Sequence, residues 1–273
     1  MLPVTYYPVP TQDLFRRNAE RIKNKPYAKY FNGDLWLHDD VLPSLKEPMD
    51  PDAMLSSAPS DLNTLLEPGY HAVETGYGLT HAGHPYVASL TRFPGCTPEM
   101  FTWWFWWHSV EPERYSLWYP YNHVDAVPRN KDVLTRPGLS DAERYIGNTH
   151  DIVEYIGPTR LGLSIEFVDP AELGLDTGRF TTAGYRAHAC ARIHGGYMIH
   201  LVRKTDEGFE LRSRYLLDQA PAPAPGSTDA RDRARAFAYE LLLHDQIEFT
   251  HLSTFLADIF AEFGWQPPSP HAW

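Results

Sequence analysis

Between Phe237 and Ile259 apolar side chains return at helical intervals. Phe237, Leu241, Leu252, Phe255 and Ile259 fall on one face, so the pattern predicts a long helix over residues 229–264 with one buried side. Both ends carry boundary signals. Upstream lies the breaker Ala220-Pro221-Ala222-Pro223-Ala224-Pro225-Gly226, followed by capping oxygens on Ser227, Thr228 and Asp229. Downstream, Gly264 precedes Pro267 and Pro268. The stripe is not wholly apolar. His244 and Glu248 continue it at positions where aliphatic or aromatic residues are expected.

Elsewhere the period switches from 3.6 to two. Residues 86–93, 151–156 and 161–168 read as strands, and Glu154 shares parity with Ile152 and Ile156 rather than with solvent. The clearest hairpin runs from Tyr197 to Leu217 around the turn Thr205-Asp206-Glu207-Gly208. A four-residue loop sets Lys204 opposite Phe209. It places Met198, His200 and Val202 on the face of Leu211, Ser213, Tyr215 and Leu217, so that His200 and Tyr215 look into one cavity. Thr97-Pro98 opens a second helix, and the rings of residues 101–107 cover nearly its whole circumference, the mark of a buried packing helix. A short amphipathic helix over residues 11–23 belongs to a Pro- and Asp-punctuated N-terminal arm of about 70 residues, expected to wrap a main domain over residues 71–273. Mostly antiparallel strands followed by one long helix predict an α+β, helix-grip architecture: a curved sheet, the helix across it, a cavity between.

Composition narrows the partners. A formal charge of −11 over 273 residues argues against nucleic acid and anionic membrane surfaces. No run approaches a membrane span, and the first residues lack the charged and apolar regions of a secretory leader. The two cysteines, Cys96 and Cys190, are too few for a disulfide framework, so a cytoplasmic location is expected. Eight Trp and 16 Tyr suit a large ring-lined cavity, and equally a rigid core.

The stripe residues pose the chemical question. A carboxylate on a core-facing stripe is costly unless a positive charge meets it, and no Lys or Arg follows Arg235. Two readings remain open from the helix alone. One is a metal ion, since the i, i+4 spacing sets an imidazole beside a carboxylate. The other is a core His hydrogen-bonded to a Glu at a cavity or subunit edge. His81 and His84 also resemble a ligand pair, but they lie in a Gly-rich turn without a Cys or carboxylate in register and read as turn residues.

Taken in order, Tyr115, Trp118 and His123, then Glu154, then the hairpin of His200 and Tyr215, then His244-x-x-x-Glu248, resemble the diacetylphloroglucinol hydrolase and phloretin hydrolase family over roughly residues 70–260. The resemblance implies a Bet v 1-like helix-grip fold and a Zn²⁺ held by His123, Glu154, His244 and Glu248. It implies hydrolysis of the carbon–carbon bond between an acyl group and a polyphenolic ring, with His200, Tyr115 and Tyr215 on the substrate. One feature departs from the family. An Asn expected just after the first His has no counterpart in Val124-Asp125-Ala126-Val127, which leaves the ring-substitution pattern open.

Three other functions compete: an isomerase or cyclase acting on a polyketide-like phenol with the same fold and metal, a carrier of hydrophobic ligands, and an iron oxygenase. A carrier has no use for clustered buried acids. A cupin-type oxygenase expects His-x-His ahead of its Glu, where this chain has Asn148-Thr149-His150. The expected partner is a small aromatic or polyketide-like molecule, and a homodimer is compatible with all of these.

Overall fold

The computed structural model describes residues 1–219 and 228–265. The breaker segment, Ser227 and the terminal prolines lie outside the described residues. Eight strands form one sheet: β1 (Gly76–Leu79), β2 (Pro85–Pro94), β3 (His123–Pro128), β4 (Thr149–Ile156), β5 (Thr159–Phe167), β6 (Tyr185–Ile193), β7 (Gly196–Lys204) and β8 (Gly208–Leu216). Their spatial order is β1-β2-β8-β7-β6-β5-β4-β3, and every pairing is antiparallel. Four longer helices accompany it: α1 (Val9–Ile22), α2 (Pro98–Trp107), α3 (Pro112–Trp118) and α4 (Thr228–Phe263). The fold is α+β, with a large antiparallel sheet and a long C-terminal helix.

The sheet cannot be flat. Helix α4 packs on β1 and β2 at one end of the strand order and reaches β4 near the other. Strands β2 and β4 stand five places apart in that order. At about 4.8 Å per place that is ~24 Å, twice the roughly 10–12 Å width of a helix. The sheet therefore curls around α4.

The hairpin register is the expected one: Phe209 opposes Lys204, Ser213 opposes His200, and Tyr215 opposes Met198. Strands β1, β3 and β6 escape the alternation rule. Strand β1 contains two glycines, and β3 is broken by an irregularity between His123 and Asp125. On β6 the inward positions Ala187, Ala189 and Ala191 are small, and the aromatic helix α2 packs there. Bulk on α2 and small residues on β6 are two halves of one packing solution.

One expectation needs correction. Helix α4 is not buried on one side alone. In its central turns Asp245, Gln246, Thr250 and His251 are as buried as the stripe. Asp245 and Gln246 meet β2 and β8 through Ser89 and Tyr215, and another side of the helix is covered by α2, α3 and the N-terminal arm, where Leu35, Tyr119 and Ile247 form a small cluster of their own. The arm is also stitched in by hydrogen bonds: the Asn18 amide on α1 donates to the carbonyls of Pro120 and His123, both at 3.0 Å.

The convex face of the sheet is buried too. Leu62, Leu65 and Leu66 pack against Tyr86, Ile199, Leu201 and Leu216. Within this layer lie the guanidinium groups of Arg212 and Arg214, both almost wholly buried. Each donates to Glu74 at 2.6 Å, and Arg212 also donates to the Leu65 carbonyl at 2.9 Å. Burial pushes the Glu74 carboxyl up, but Arg214 and Arg212 outweigh it and hold the group down at about 2.

Removing Glu74 leaves two buried cations without their shared anion. Glu74→Ala should lower the unfolding free energy by about 3–5 kcal/mol, read from urea midpoints. The folded carboxyl titrates below its unfolded value of 4.5, so its contribution is complete above that pH and is lost as pH falls toward 2. The variant should lack this acid-side loss. An unchanged midpoint would show that the guanidinium groups find other partners.

Candidate metal centre and cavity

His123 opens β3, and its partner across the β3–β4 ladder is Glu154. The two rows of the sheet therefore present an imidazole and a carboxylate side by side. Helix α4 brings His244 and Glu248, one turn apart, over the same point. His123 Nε2 stands 3.2 Å from Glu248 Oε2 and 3.7 Å from Glu154 Oε2. His244 Nε2 is 3.7 Å from the same two oxygens. One ligand atom each from His123, His244 and Glu248 fall within 4.8 Å of one another, a group that could hold a metal ion. Glu154 borders this group through both imidazoles.

Neighbouring groups orient the donors. His123 Nδ1–H donates to the Tyr115 carbonyl at 3.0 Å, which fixes the tautomer and leaves the Nε2 lone pair aimed at the carboxylates. Its ring lies flat on the Tyr115 ring, with centroids 3.8 Å apart. The Tyr115 hydroxyl donates to Glu154 Oε2 at 2.6 Å. His123 Nε2, fully buried, has no hydrogen-bond partner.

Burial dominates the electrostatics. It pushes the Glu154 carboxyl up to about 7 against the Tyr115 hydrogen bond, and it pushes Glu248 up well beyond its usual range, with Asp245 and Glu154 adding repulsion. It also holds His244 down at about 3, and His123 well below its ordinary value with help from His244. Among the described residues lining the cavity there is no Lys or Arg to offset the acids. Two imidazoles, two carboxylates and an orphaned Nε2 fit a divalent cation better than a hydrogen-bonded core pair.

The cluster faces a cavity of about 380 Å³. Its walls are mostly apolar, including Phe105, Trp118, Ile152, Leu163, Ile165 and Phe167. His200 and Tyr215 line it as well, with ring centroids 5.6 Å apart. His200 Nδ1 is hydrogen-bonded to Ser213 Oγ at 2.8 Å, and burial holds its pKa down at about 3. Of the seven residues marked in the sequence, Glu154, His244, Glu248, His200, Tyr115 and Tyr215 line this cavity, and His123 lies behind the wall against Glu154 and Glu248. His84 reaches the same space, whereas the exposed His81 pairs with Asp52 at 2.7 Å.

One functional neighbour escaped the pattern. Asp245, wholly buried, accepts from the Tyr215 hydroxyl at 2.9 Å and from Ser89 Oγ, and the Gln246 amide donates to Ser89 Oγ at 2.7 Å. Burial pushes Asp245 up to about 6 against these hydrogen bonds. It lies off the apolar stripe, so periodicity assigns it to solvent. Its only signal is its place beside His244.

Comparison with known proteins identifies the family. A sequence model described as the DAPG hydrolase PhiG domain matches residues 56–261. The 2,4-diacetylphloroglucinol hydrolase of Pseudomonas protegens is 37% identical over 285 residues, spanning 97% of this chain and 93% of its own length. A protein of the same description from a Pseudomonas species is likewise 37% identical, with 97% of each chain covered. The phloretin hydrolase of Eubacterium ramulus is 28% identical over 195 residues, or 68% of this chain and 71% of its own. With most of its length matched at this identity, the chain belongs to the DAPG hydrolase family.

Proposed function

We propose that this chain is a zinc-dependent hydrolase that cleaves the carbon–carbon bond between an acyl group and a polyhydroxyphenol ring and releases a carboxylic acid. The observation that carries the reading is the buried His/Glu cluster, without a cationic side chain, on the wall of a ring-lined cavity. The names of the relatives supply the substrate class. The same reading takes the curled sheet and α4 as a Bet v 1-like helix grip, with residues 1–70 as an arm on the catalytic domain.

His123, Glu154, His244 and Glu248 would hold the metal. When bound, a Zn²⁺ supplies Lewis-acid polarisation of oxygen and offsets the two carboxylate charges. The remaining steps fall to the chain. Cleavage requires the ring carbon bearing the acyl group to leave with an electron pair, which is feasible once that carbon is protonated and the ring becomes a β-diketone. His200 is neutral near pH 7, and with Nδ1 tied to Ser213 it offers Nε2. There it takes a phenolic proton and returns it to the ring carbon. Water then adds to the acyl carbonyl, the carbon–carbon bond breaks, and the electron pair settles on a ring oxygen as the enolate, which takes up the proton that the water has lost and restores the phenol. Tyr115 and Tyr215 already donate to Glu154 and Asp245, so their remaining lone pairs accept phenolic hydroxyls and orient the ring.

Elemental analysis of dialysed protein should find about one zinc per chain, and Glu248→Ala should lose it. Stoichiometric iron, or no metal, would remove the assignment. His200→Ala should keep its zinc and fold while kcat on an acylphloroglucinol falls by about 10²–10⁴. Loss of metal from that variant would make His200 a ligand. Chromatography of the reaction should show a free acid and a deacylated ring; products of unchanged carbon count would favour an isomerase or cyclase.

A further inference from the structure

Two more buried imidazoles face the cavity and have no part in the cluster or the proton transfer. His108 follows α2, and His150 lies on β4. Both are buried and both line the cavity. His108 Nδ1–H donates to the Trp104 carbonyl at 2.7 Å, so its Nε2 carries a lone pair and can only accept. His150 has no protein partner for its buried Nε2. The two rings flank the pair formed by Phe105 and Phe167: His108 lies 5.8 Å from Phe105, His150 lies 5.0 Å from Phe167, and the two phenyl rings are 5.9 Å apart.

A buried polar atom left unpaired is costly, and the His150 Nε2 on this largely apolar wall, with the acceptor nitrogen of His108 on the same cavity, calls for a polar group on the ligand. The fixed tautomer of His108 narrows the choice. A ketone or ether oxygen would meet the His108 lone pair with its own, whereas a hydroxyl donates to His108 and has lone pairs left to accept from the Nε2–H tautomer of His150. Position narrows it further. His150 shares the inward parity of Glu154 on β4, four residues away, or ~13 Å between Cα atoms along an extended strand. One aromatic ring with its substituents bridges that span, its acyl group at the cluster and a hydroxyl at the far side.

We propose that His108 and His150 form a second recognition point, a receptor for the phenolic hydroxyl that lies across the ring from the acyl group. This rests on the reading of the cavity as an acylphenol site, and it makes the pair the selector of ring substitution. His108 and His150 do not enter the bond-breaking steps.

Binding tests it separately from catalysis. Tryptophan fluorescence of the zinc-loaded protein is titrated with 2,4,6-trihydroxyacetophenone and with its analogue methylated at the hydroxyl para to the acyl group. The parent should bind at least about tenfold more tightly than the ether. His108→Phe and His150→Phe should each erase that preference by weakening the parent alone. His108→Gln, which keeps an acceptor, should restore most of it and serves if a Phe variant does not fold. Wild type without a preference, or Phe variants that keep it, would overturn the proposal. Intact discrimination without any cleavage would sink the hydrolase reading and leave this one standing. Cleavage with discrimination unmoved in the variants would do the reverse.

Discussion

Three carboxylates, Glu154, Asp245 and Glu248, are buried in one region, Glu154 and Glu248 at 3.2–3.7 Å from the imidazoles of His123 and His244, and among the described residues no lysine or arginine lines the cavity. Desolvation works against the charged form of each. The three are met differently. Asp245 receives hydroxyl donors from Ser89 and Tyr215, and Glu154 receives the Tyr115 hydroxyl. Glu248 instead faces His123 and His244, whose cavity-side nitrogens are lone-pair donors or orphans. The acid with least protein support thus sits where a cation is best surrounded by nitrogen and oxygen.

Holding that arrangement takes rigid support from three directions. The ladder between β3 and β4 sets His123 against Glu154, α4 sets His244 over Glu248, and the curl of the sheet brings the two sets together. The N-terminal arm contributes more than cover. By donating to the carbonyls of Pro120 and His123, Asn18 ties α1 to the backbone that carries one donor of the cluster. The convex layer serves the same end at a distance. Glu74, Arg212 and Arg214 lock β8 from behind, and β8 carries Tyr215 into the cavity.

The cavity combines apolar rings with a few polar points. Apolar rings supply affinity for an aromatic guest without direction, and the polar points supply direction. Tyr115, Tyr215 and His200 lie by the cluster, His108 stacks at 5.7 Å on the Tyr115 ring, and His150 stands further along β4. A ligand with oxygens on both sides of its ring would meet both sets.

Much of this was legible in the chain itself. Helical period gave α4 and the anomaly of His244 and Glu248 within its stripe, because a polar residue at a core position is a local fact of spacing. Loop length and alternation gave the hairpin register, hence the shared direction of His200 and Tyr215, because a two-residue period admits only one pairing that buries the apolar set. What stayed hidden depended on contacts between distant segments. Strand β6 is Ala-rich because α2 fills the space above it, and β1 and β3 owe their extension to neighbours rather than to propensity. Asp245 reads as a solvent-facing residue until the curl of the sheet brings Ser89 of β2 and Tyr215 of β8 against that side of α4. His108 and His150 are ordinary core histidines in sequence. Only the curl of the sheet sets them on a common wall, because the sites of unpaired nitrogens follow from packing and not from spacing.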